Sequence, residues 1–276
     1  GGHRLIFSGN VTFWYRFYHW CCRGYAPWWG NLANDHSDVG MFSIVRRVLL
    51  EIWKKGVMSE YTIEIQNLVN AALDELAAEH KSGKQVNAPV ANNHYLVRWV
   101  TRAIKSQRFP RCVGDDLIRW QKAGRSKGND AGLMFTFQRI SKFYAEFFPS
   151  DKEDRVIKDS DVEAFLDVME KEGWEVSTSE ELVGCGKIQI FTEGQNSLAL
   201  CANQCESCFD GEDLVKPMSW FVRGNHAQFI EKAAAAGFMV HKVTDYKSNV
   251  KYHGEYLVFP GNRGQHLAEI PLSFQL

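Results

Sequence analysis

The stretch DVEAFLDVMEKEGWEV, residues 161–176, reads as a helix stopped by Gly173 and followed at once by a strand. A polar cap opens it, and a closing Gly-aromatic-x-Val sets the boundary, because glycine tolerates the left-handed backbone that ends a helix. The stretch NHAQFIEKAAAAGFMV, residues 225–240, has the same layout. Both carry Phe at the fifth place, Leu or Ile at the sixth and an acid at the seventh. Strands are expected after each copy, at KIQIFT (187–192) and YLVFPG (256–261), and at the short apolar runs SLALC (197–201) and MSWFV (218–222). One mainly antiparallel sheet built on a duplicated helix-strand-strand unit fits this pattern, and chance likeness of two helix-glycine-strand junctions is its rival.

Upstream of the charged connection PSDKEDRVIKDS (149–160) the periodicity is helical. Ile65, Leu68, Val69, Ala72 and Leu76 define one apolar face, and Lys81-Ser82-Gly83 supplies a positive last turn with a glycine stop. In NNHYLVRWVTRAIKSQRFPR (92–111), Asn92 or Asn93 is expected to cap a second helix that ends before Pro110. Leu96, Val100 and Ala103 share one face; Arg98, Arg102 and Lys105 form a row opposite. Arg108 and Arg111 bracket the turn, and a third helix after Asp115-Asp116 turns Leu117 and Trp120 inward and Arg119 and Lys122 outward, with Arg125 and Lys127 near its end. A fourth helix, from Asn129 or Asp130 to Phe148, places Leu133, Phe137, Ile140, Tyr144 and Phe147 on a core stripe. The expected fold is therefore α+β, a helical module over 58–148 followed by an acidic α/β module over 149–276.

Charge separates these halves. Residues 58–148 hold 13 Lys/Arg against 9 Asp/Glu, and residues 149–276 hold 12 against 21, although the whole chain sums to only -1. Guanidinium groups spaced along a helix match phosphates and release counterions without reading bases. Arg98, Arg102, Lys105, Arg108, Arg111, Arg119, Lys122, Arg125 and Lys127 thus form a candidate DNA- or RNA-binding face. A solvated basic face, or one docked on a protein partner or on the acidic half, would leave the same pattern.

The segment NHYLVRWVTRAIKSQRFPRCVGDDLIRWQKAGRSKGNDAGL, together with FVRGNHAQFIEKAAAAGFMV, resembles the bacterial domain-of-unknown-function family DUF2913. The shared features are an Arg-Trp pair inside a helix, Lys-x-x-Arg-Phe-Pro-Arg, a Gly-Arg-x-x-Gly stop, and a strand-Gly-helix-Gly-aromatic run. The likeness covers about residues 58–276 and implies no reaction, cofactor or partner.

Residues 1–57 differ in composition. No Lys or Glu occurs before Glu51, and ten of the first 30 residues are aromatic, which suits translated upstream sequence joined to a start at Met58. A cationic amphipathic helix over Met41–Lys55, lying on a membrane surface or a partner, is the alternative. No apolar run is long enough to span a bilayer.

Several motifs carry no chemistry. GRSKGNDAG (124–132) lacks the order of a phosphate loop, since its lysine precedes a glycine and a helix precedes the loop. CANQCESC (201–208) has a cluster-binding spacing, but too little chain follows it for a radical-enzyme barrel. Zinc held by Cys185, Cys201, Cys205 and Cys208 is the better metal reading; reduced free thiols in a cytosolic protein are the expectation, with no metal and no cofactor. His226, His241, His253 and His266 share no metal-binding spacing, and no catalytic residue is assigned. A cytoplasmic bacterial accessory or regulatory protein is the resulting expectation; an enzyme with a site between the modules is a further alternative.

Overall fold

A computed structural model of the chain describes residues 61–183, 190–245 and 253–276. The expectations for residues 1–57, for Cys185 and for the first half of the 187–192 strand lie outside these residues.

Four helices come first: α1 over 61–81, α2 Pro89–Lys105, α3 Gly114–Lys127 and α4 Leu133–Phe147. Their apolar stripes meet, burying Ile65, Leu68 and Leu76 of α1, Leu96 and Val100 of α2, Leu117 and Trp120 of α3, and Leu133, Phe137, Ile140 and Tyr144 of α4. Each fully buried large side chain contributes roughly 1.5–3 kcal/mol over leaving it in water. Trp120 meets Phe137 edge-on at 4.7 Å, and this contact ties α3 to α4.

Two helix starts differ from expectation. α2 begins at Pro89 with Ala88 before it, three or four residues ahead of the asparagines expected to cap it. Proline suits a first helical position, where its missing N–H would have no partner. Asn92 and Asn93 are instead buried inside the helix. α4 begins at Leu133 rather than Asn129 or Asp130, because a 3-10 turn over Gly128–Ala131 and Gly132, at φ 61°, interrupt the helical path.

The second part contains α5 (Asp159–Lys171), β1 (Glu175–Ser177), β2 (Ser197–Leu200), α6 (Ala202–Ser207), β3 (Phe209–Asp210), β4 (Asp213–Leu214), β5 (Met218–Arg223), α7 (His226–Ala235), β6 (His241–Asp245) and β7 (His253–Val258). Five strands form one sheet in the order β1-β2-β5-β7-β6, parallel between β1 and β2 and antiparallel elsewhere. The fold is α+β, with a helical first region and a mainly antiparallel sheet after it. Alternation sends Leu198, Leu200, Trp220, Val222, Tyr256 and Val258 to one face, where α5 and α7 cover them with Phe165 and Phe229. Phe165 stacks on Trp220 at 5.2 Å with 12° between the rings.

The two helix-glycine-aromatic junctions match in geometry. Gly173 and Gly237 take φ of 84° and 88°, and Trp174 and Phe238 behind them are buried. The strands that follow, β1 and β6, are the two edges of the sheet, yet β1 pairs in parallel and β6 antiparallel. Residues 190–192 of the expected KIQIFT strand are not in a strand, and β2 takes the place beside β1. The acidic turn at Asp210–Asp213 is a tight hairpin between β3 and β4 around Gly211, at φ 60°.

After β7 the chain turns back along β6 and onto α4. Glu269 N–H donates to the Val240 carbonyl at 2.9 Å, and His266 Nε2 donates to the Lys242 carbonyl at 2.9 Å, which occupies polar groups of an edge strand. Ala268 N–H reaches the Tyr144 hydroxyl at 3.1 Å, Arg139 donates to the Pro271 carbonyl, and Phe274 meets Phe143 edge-on at 5.3 Å. The helical core thus includes Ala268 and Met239 from the far end of the chain.

Candidate functional site

α2 and α3 lie together because α3 has a glycine where they cross. A Cβ at Gly124 would come within 2.7 Å of both Val97 methyls, closer than carbon atoms approach, so only glycine permits this spacing. Asn93 fixes the other end of the pair. Its buried side chain donates to the Gly128 carbonyl at 2.8 Å and accepts from Leu133 N–H at 3.2 Å, joining α2 to the end of α3 and the start of α4. Asn92 accepts from His80 at 2.7 Å and donates to Asn87 at 3.0 Å, tying the start of α2 to α1.

On this frame all nine basic residues read from the sequence are exposed. Arg98, Arg102 and Lys105 share the solvent stripe of α2, opposite buried Leu96, Val100 and Ala103. With a helical rise of about 1.5 Å per residue, the row spans roughly 10 Å. Arg111 stands on the 3-10 turn Arg111–Val113 after Pro110, and Arg119, Lys122, Arg125 and Lys127 stand on α3.

Two of the nine are already paired. Arg108 meets Glu75 of α1 at 2.6 Å, with both side chains about 40% exposed, and lies 5.3 Å from the ring centroids of Trp99 and of Phe109. Glu75 also accepts the Trp99 indole N–H at 2.6 Å. Burial pushes the Glu75 carboxyl up, but the bonds from Arg108 and Trp99 outweigh it and hold the group below its ordinary value. Arg119 pairs with Asp116, which is buried and accepts the Tyr61 hydroxyl at 2.7 Å. The Tyr61 phenol is raised by burial and then by that carboxylate. The remaining seven (Arg98, Arg102, Lys105, Arg111, Lys122, Arg125 and Lys127) form no ion pair among the described residues. Arg102 lies 5.9 Å from the Tyr95 ring centroid.

The sequence pattern pointed to the cations but not to Glu75, Asp116 or Asn93. Asp116 was read only as half of a helix-start pair, and its contact with Tyr61 spans 55 residues. No local pattern reports such a contact.

The cysteines resolve differently. Cys201 is buried at the start of α6 and accepts N–H bonds from Leu182 at 3.2 Å and Val183 at 3.3 Å. Burial raises its thiol, yet N–H donors from Val183, Leu182, Gln204 and Asn203 bring it below the usual thiol value. Burial pushes Cys205 and Cys208 up. Among the described residues no group of three His, Cys, Asp or Glu side chains is placed to hold a metal ion.

Among the described residues no helix is long and apolar enough to cross a membrane. Comparison with curated proteins and with solved structures found no match. A family model does match: DUF2913, protein of unknown function, aligns with residues 60–271, and the chain belongs to that family.

Proposed function

We propose that the chain is an accessory or regulatory protein of the bacterial cytoplasm that binds nucleic acid through the phosphate backbone, using the exposed cations of α2, the turn and α3. One observation carries this reading: seven exposed Lys/Arg side chains, on two packed helices and the 3-10 turn between them, have no carboxylate partner among the described residues. A solvated surface lowers its own repulsion by mixing signs, whereas unpaired cations are available to a polyanion. Arg108 and Arg119 hold the frame instead, since their charge is met by Glu75 and Asp116. Contacts to phosphate carry no sequence information, so binding tolerant of sequence is expected.

Titrating labelled DNA and RNA at several salt concentrations tests this. Affinity should fall steeply as salt rises, and less steeply once Arg98 and Arg102 become Ala, because each lost phosphate contact removes about one unit from the salt slope. Absence of binding at low salt would assign the face to an acidic protein partner.

A further inference from the structure

Away from the basic face, α4, α7 and the C-terminal tail border an open groove of about 410 Å³, within the size range that holds small ligands. Its apolar lining is Phe143, Phe147, Ala234, Ala235, Pro271 and Phe274; Glu146 of α4 and Glu231 of α7 are the charged residues lining it. Neither carboxylate forms an ion pair among the described residues; no Lys, Arg or His is among the lining residues, and the Lys142 ammonium lies beside them, 5.6 Å from the Phe274 ring centroid. The aromatic wall is a built one. Phe143 meets Phe147 at 5.0 Å and Phe274 at 5.3 Å, while the tail carrying Phe274 is held by Arg139 on the Pro271 carbonyl and by Lys142 on the Gln275 carbonyl at 2.7 Å.

Methylene chains gain by leaving water against aromatic side chains. Carboxylates at the rim attract ammonium groups, modestly when exposed. We propose that this groove binds an aliphatic diamine, its methylene chain laid along the phenylalanines and its two ammonium groups meeting Glu146 and Glu231. A monoamine satisfies one carboxylate, and a neutral alcohol of equal length satisfies neither.

The test is titration of the full chain, freed of nucleic acid, with diaminopentane, aminopentane and pentanol, followed by calorimetry or by amide NMR shifts. Saturable binding in the order diamine, monoamine, alcohol is expected, weakening as salt rises. Glu146→Gln and Glu231→Gln should each weaken diamine binding about two- to fivefold with unchanged melting temperature, and Glu163→Gln, outside the groove, should leave it unchanged. Lack of saturation with any probe, pentanol binding as well as aminopentane, or a Glu146→Gln/Glu231→Gln double variant that binds the diamine like the parent would overturn the proposal.

Discussion

Glu75 and Arg108 face each other at 2.6 Å, joining α1 to the turn that follows α2. The pair is about 40% exposed on both sides, so its Coulombic worth is small, but Arg108 also packs over Trp99 and Phe109. Arg108→Ala should lower stability by about 1 kcal/mol. It should weaken nucleic-acid binding less than Arg102→Ala, whose side chain forms no ion pair among the described residues. Chemical denaturation and a paired binding titration check both halves. Because the folded Glu75 carboxyl lies below its ordinary value, its contribution is present above the unfolded pKa and is lost as pH falls through the folded one.

Gly124 offers a sharper probe of the α2–α3 contact. Alanine favours a helix interior by about 1 kcal/mol, yet its methyl would meet both Val97 methyls, and overpacking costs roughly 1–3 kcal/mol. Gly124→Ala should therefore destabilise the protein. Val97→Ala in the same chain should restore most of the loss, which a double-mutant cycle by urea denaturation would measure as a favourable coupling.

Asn93→Ala should be more damaging. It removes the partner of both the Gly128 carbonyl and the Leu133 N–H, leaving these groups unmet at a cost of roughly 2–3 kcal/mol. Asn93→Asp should fare little better, because a carboxylate cannot donate to the Gly128 carbonyl. Thermal melts of the two variants would show comparable losses.

His241 sets a pH dependence. It is 1% exposed, packed edge-on against Phe259 at 5.1 Å and His266 at 5.4 Å, and burial, with His266 second, depresses its pKa to about 3. The unfolded chain takes up a proton below its ordinary value of 6.5 while the folded one does not. Stability is thus fully present above 6.5 and is lost as pH falls toward 3, at up to about 1.4 kcal/mol per pH unit. Denaturation midpoints at several pH values should show this slope, steepest to attribute above the carboxylate range, and His241→Leu should flatten it.

Much of the fold was legible without coordinates. The helical stripes, the glycine stops and the apolar runs at 197–200 and 218–222 depend on periodicity and on backbone freedom, which are local properties of the chain. Such signals also placed the nine cations on solvent-facing positions. Asn92 and Asn93 were misread because capping preference is local, whereas their amides serve partners on α1, α3 and α4; Pro89 was the better start signal. Residues 190–192, expected in a strand, are not in one, because β-propensity cannot say which segment a sheet edge accepts.

Sequence alone determined which side chains are charged, which are apolar and at what period they recur. Tertiary structure decided the rest: that Glu75 and Asp116 meet two of the nine cations and that the other seven meet no carboxylate among the described residues, and that the tail carries Ala268 and Phe274 to a helix more than 100 residues away. Pairing across such separations is set by how whole elements pack, and chain order by itself does not encode which distant groups come within hydrogen-bond reach.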